Sequence, residues 1–103
     1  QASAYVKVAI AEYYLSTGVW PRSNAELELQ APEKFTGQAL RRLDVGAEGV
    51  ITLTYDEKTG VNGGTIQLLP DASNMQQGLR WRCETASYEN IASIMPQCAY
   101  NGS

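Results

Sequence analysis

The chain has 103 residues, 44% of them hydrophobic and 18% charged, which describes one globular domain with a modest core and excludes a disordered chain. Its formal net charge is −3 and it contains no histidine, a balance opposed to the basic footprint of a general nucleic-acid binder. No apolar run approaches the ~20 residues of a membrane-spanning helix.

The opening stretch, QASAYVKVAIAEYYLSTG, predicts a helix over 1–17. Ala2, Val6, Ala9, Ile10 and Tyr13 share one stripe, and Gly18 stands where a C′ glycine ends a helix. A second stripe, Tyr5, Val8, Glu12 and Leu15, is also largely apolar. A surface helix normally keeps one face wet. Either another molecule covers the second face, or it is ordinary apolar surface. The chain shows neither a start methionine nor a signal sequence, and reads as a processed form or a piece beginning midway along a helix.

After GVWPR, Ser23 and Glu26 match the capping box S-x-x-E and predict a short helix from about Asn24 to Pro32. Strand signals follow: ALRRLDV (39–45), the turn GAEG, and VITLTY (50–55), where Ile51, Leu53 and Tyr55 alternate with Val50, Thr52 and Thr54. The polar DEKTGVNGG leads to TIQLLP (65–70), with Ile66 and Leu68 inward. DASNMQQ then leads to GLRWRC (78–83), with Leu79, Trp81 and Cys83 on one face and Arg80 and Arg82 on the other. Four strands on short connections predict an antiparallel meander with the helix across its apolar face, an α+β fold. Trp20 and Trp81 are assigned to the core or to covering the helix. Residues 84–103 show no clear period.

Cys83 and Cys98 are the only cysteines. Two thiols without histidine do not complete a structural zinc site, form no C-x-x-C redox pair and have no imidazole base. This favours one structural disulfide over two buried free thiols. A loop of this size contributes roughly 3 kcal/mol in the chain-entropy model, and the bond implies an oxidising compartment.

No catalytic constellation is present: no histidine, no G-x-S-x-G and no phosphate loop, so no enzyme and no cofactor are expected. Asp56, Glu57 and Asp71 are too dispersed for a calcium site, which needs several converging oxygens. Arg80 with Arg82, and Arg41 with Arg42, are candidate ligand or subunit contacts, since paired guanidiniums suit phosphate or carboxylate. Tyr88, between the cysteines, is a further candidate. The chain ends in NGS, formally an N-x-[ST] sequon.

Taken in order, AEYYLSTGVWP (11–21), ITLTY (51–55), GTIQLLP (64–70), LRWRC (79–83) and MPQC (95–98) resemble a type IV pilin headpiece over essentially the whole chain. The resemblance is to a type IVa-like major pilin lacking the hydrophobic N-terminal half-helix. It implies one domain over 1–103: the second half of the spine helix (1–18), a connecting region with a short helix and the first strand (19–48), the remaining sheet (49–83), and a disulfide loop and tail (84–103) bounded by Cys83 and Cys98. The implied function is a structural subunit polymerising into bacterial surface filaments for adhesion, twitching motility and DNA uptake. A minor pilin or a pseudopilin binding DNA or a host ligand is the alternative. Implied partners are other pilin subunits through the helix, prepilin peptidase with the assembly machinery, and a host surface or DNA. The implied location is the extracellular filament, preceded by the inner membrane, entered only through the missing N-terminal segment, whose methylation the family also implies. Ser103 stands where some pilins carry a glycan. The closing IMPQC is shorter than is usual in the family and lacks the aromatic often found there.

Overall fold

The computed structural model of the protein describes residues 2–102. Helix α1 (Ala2–Thr17) ends as its sequence predicts. Gly18 takes φ +78°, a region open to a residue without Cβ, and its N–H donates to the Tyr14 carbonyl at 2.8 Å. Ser16 and Thr17 turn their hydroxyls back onto the Glu12 and Tyr13 carbonyls, so the last turn is satisfied internally. Val6 and Ile10 are fully buried, each contributing about 1.5–3 kcal/mol, while Ala9 and Tyr13 are half-buried beside them.

The GVWP turn then seats the chain on the sheet. Trp20 stacks on Tyr14 with ring centroids 3.9 Å apart, and Pro21 is fully buried, its carbonyl accepting from the Gly49 N–H. Gly49 sits at φ +74°, and a Cβ there would meet the Trp20 ring at 3.0 Å. The predicted short helix is reduced to a single 3-10 turn, Ala25–Leu27, followed by Glu28 at φ +58°. Half of the capping box forms, with the Ser23 hydroxyl accepting from the Glu26 N–H. Glu26 reaches past the cap to the Arg22 N–H instead. Asn24 is drawn the other way. It is buried, accepts from the Val45 N–H at 2.7 Å and donates to the Leu43 carbonyl at 3.0 Å, pinning this loop to the sheet. A second 3-10 turn starts at Pro32.

Four antiparallel strands follow: β1 (Leu40–Val45), β2 (Ile51–Tyr55), β3 (Thr65–Asp71) and β4 (Arg80–Thr85). Val45, Ile51, Leu68 and Cys83 stand opposite one another across the sheet, and Leu43, Leu53 and Ile66 form a parallel row. Both rows are buried and belong to one cluster with Val6 and Ile10 of α1. Trp81 is half-buried on the same side, with the Lys7 ammonium 5.8 Å from its ring centroid.

The tail adds structure that the aperiodic sequence did not show. Strand β5 (Cys98–Tyr100) pairs parallel to β4 and makes a fifth strand in the order β1-β2-β3-β4-β5. A parallel neighbour demands a crossover of about a dozen residues. Residues 86–97 provide it, carrying a one-turn helix α2 (Ile91–Ile94). Ile91 packs into the core cluster, so the crossover covers the face of the sheet that α1 covers. Cys98 lies directly opposite Cys83, extending the buried row, and the two are disulfide-bonded with Cα atoms 4.4 Å apart.

Candidate functional site

The uncovered side of α1 is the first feature that packing does not explain. Tyr5, Val8 and Leu15 keep 52%, 57% and 70% of their surface exposed, and Val19, just past the helix end, is exposed as well. Tyr5 stacks on Phe35, with 6.3 Å between ring centroids. The helix thus presents one apolar stripe to its own sheet and a second to its surroundings. An exposed stripe of this kind, apolar except for Glu12, is a candidate association site.

The arginines lie on the opposite, outer face of the sheet, and the structure does not bring the two pairs together. Arg41 and Arg42 are on β1, where Arg41 occupies a bulge; Arg80 and Arg82 are on β4, three strand spacings or roughly 14 Å across the sheet, and the register, with Asp44 in line with Glu84, offsets the pairs further along the strands. Each has company. Arg42 forks onto Asp44 through bonds of 2.9 and 3.0 Å, Arg82 lies 3.3 Å from Glu84, and Arg41 donates to Asn62 at 2.6 Å. Arg80 stands opposite Asp71 across the β3–β4 ladder. The Ser73 N–H, then the Ser73 hydroxyl, then the charges of Arg82 and Arg80 hold the Asp71 carboxyl below the ordinary carboxylate range. Asp56 is likewise engaged, accepting from the Lys58 N–H. Among the described residues, no three His, Cys, Asp or Glu are grouped to hold a metal ion.

Tyr88 joins the disulfide loop to the β2–β3 turn. Its hydroxyl shares a 2.6 Å hydrogen bond with Thr59, its ring meets Tyr55 edge-on at 6.4 Å, and it lies where a Cβ of Gly64 would stand. Burial, and then the neighbouring Tyr88, push the Tyr55 phenol above its usual range. Alongside runs a groove of about 600 Å³ lined by Val61, Ile66, Ile91 and Met95. Sequence reading missed this groove, because its walls come from segments far apart in the chain. Ser103 lies outside the described residues.

These features describe an α+β headpiece with one largely apolar helix face uncovered, ion pairs on the outer face of its sheet and a stapled C-terminal loop. The family model for pilin, described as a bacterial filament, matches residues 1–98, and the chain belongs to the pilin family. It is therefore a filament subunit of a structural family, at home in a surface filament with further pilin subunits as partners. A search of curated proteins found no match to the chain. No described helix is long and apolar enough to cross a membrane.

Proposed function

We propose that this chain is the main subunit of a type IV pilus and works by polymerisation, with α1 facing its neighbours and the sheet and disulfide loop turned outward. The carrying observation is the exposed stripe Tyr5, Val8 and Leu15 on a helix whose other side is already buried. Adhesion and twitching movement follow from a surface filament, and DNA uptake is a further role of the same assembly. Passage through the inner membrane and handling by prepilin peptidase and the assembly machinery belong to this reading too.

The minor-pilin alternative would use the arginines on DNA or a host ligand. The ion pairs of Arg42 with Asp44 and Arg82 with Glu84, and the Arg41–Asn62 hydrogen bond, favour the structural reading, because a phosphate would have to displace partners already in place. Shearing surface filaments from the source cells and quantifying this chain tests the proposal. Dominance among the filament proteins is the expected result. Trace abundance, with salt-dependent DNA binding lost on changing Arg80 and Arg82 to alanine, would transfer the function to the alternative.

A further inference from the structure

The closing NGS hides a second chemistry. Asparagine followed by glycine is the sequence most open to intramolecular attack, because no Cβ obstructs the approach of the glycine nitrogen to the asparagine side chain. The chain holds two such pairs, Asn62–Gly63 and Asn101–Gly102, whereas Asn24, Asn74 and Asn90 are each followed by a residue with a side chain. Both pairs begin with an exposed asparagine, so exposure does not separate them.

Hydrogen bonding does. At Asn62 the nucleophile is held: the Gly63 N–H donates to the Tyr55 carbonyl at 2.9 Å in the β2–β3 connection, while the Asn62 side chain, like that of Asn101, is held in place, its Oδ1 accepting from Arg41 at 2.6 Å. A nitrogen whose proton is committed to a carbonyl must first break away before it can attack. At Asn101 the backbone N–H is tied to the Thr85 carbonyl at 2.8 Å and the side-chain Nδ2 donates to Glu84 at 3.0 Å. The Gly102 N–H has no hydrogen-bond partner among the described residues. The nucleophile is therefore available while the amide it attacks is held in place.

We propose that Asn101 is a site of spontaneous deamidation and that Asn62 is protected by the fold. The Gly102 nitrogen attacks the Asn101 Cγ; the N–Cγ bond forms, the Cγ–Nδ2 bond breaks, and ammonia leaves with the proton that the Gly102 nitrogen gave up. Water then opens the cyclic imide at either carbonyl, leaving aspartate or isoaspartate. The product adds one negative charge to the formal −3 and places a carboxylate where an amide donated to Glu84. Two carboxylates at that separation repel, and Glu84 is also the partner of Arg82. The reaction thus works as a one-way ageing mark at the end of β5, rewriting the charge pattern of the outer face.

Incubation of the purified folded protein at mildly alkaline pH, followed by tryptic digestion and mass spectrometry, tests this. Trypsin separates the two pairs into peptides 59–80 and 83–103. Conversion at Asn101 should outrun that at Asn62 by about tenfold or more, the factor that about 1.4 kcal/mol of local opening supplies. The reduced, urea-unfolded chain should lose that preference. Equal rates in the folded protein, faster reaction at Asn62, or an unmodified Asn101 beside a reacting unfolded control would each overturn the assignment.

Discussion

Reducing the Cys83–Cys98 bond is expected to cost the protein about 3 kcal/mol. The cysteines are 15 residues apart, and closing a loop of that length removes about that much conformational free energy from the unfolded chain. Natural domains are stable by only about 5–15 kcal/mol, so the bond is a large fraction of the total. At about 4–8 °C per kcal/mol for a domain near this size, the midpoint of thermal unfolding should fall by about 12–24 °C. Reduction is a cleaner perturbation than substitution, because Cys83 and Cys98 are both buried at the end of a core row and truncating them would add a packing loss. Equilibrium urea unfolding followed by Trp20 and Trp81 fluorescence, with and without reductant, measures the difference. The reduced unfolded chain is also freer to expand, so the denaturant slope should rise. Amide exchange should show β5 and α2 losing protection first, since the bond ties them to β4. A reduced protein within about 1 kcal/mol of the oxidised one, with an unchanged slope and uniform protection, would refute the reasoning.

Three further outcomes follow from local geometry. Asn24→Ala should cost about 1–3 kcal/mol for each interior group it strands, the Val45 N–H and the Leu43 carbonyl, in urea unfolding; a variant as stable as the parent would refute the pinning role. Gly49→Ala should cost more than Gly60→Ala by about 1 kcal/mol or more. Both sit at positive φ, but only at Gly49 does the added Cβ strike Trp20, while at Gly60 it meets open space. Equal losses would refute the clash. Tyr55, whose neutral form burial favours, has a folded pKa above the unfolded value of 10.0. Its contribution is fully present below pH 10 and is lost as pH rises through the folded pKa, so alkaline stability should fall less in Tyr55→Phe than in the parent, read by urea midpoints across that range.

How legible these features were depended on the range of the interactions that make them. The strands β2 and β3 could be read because Ile51 and Leu53, and Ile66 and Leu68, repeat with the period of a pleat, and every second residue needs the same cover. The end of α1 was legible because Gly18 closes it locally. The helix expected from about Asn24 failed for a tertiary reason: Ser23 makes its cap bond, but Asn24 in the first turn is held by β1, about twenty residues away, and Glu28 turns left-handed soon afterwards. Strand β5 escaped notice since three residues show no period and its pairing is parallel, reached only through the crossover. The groove beside Tyr88 was hidden for the same reason, with Tyr55 and Ile91 meeting only after the sheet has formed.

The arginines carry the sharper lesson. On a strand, residues i and i+2 share a face. Arg42 therefore had Asp44 beside it, and Arg82 had Glu84, by spacing alone; each pair is present as an ion pair. The doublets that suggest an anion site when read as cations become, when read with period two, a surface that neutralises itself. Such exposed pairs contribute little to stability and offer a partner little unsatisfied charge. The second stripe of α1 behaves oppositely. Tyr5, Val8 and Leu15 each keep more than half of their surface exposed in their own subunit, and removing apolar surface from water releases about 25 cal/mol for each Å². Between a sheet face that has already satisfied its charges and a helix face that has not buried its carbon, the drive to assemble rests on the helix. Substituting Leu15 should therefore weaken the filament while leaving the folded subunit intact.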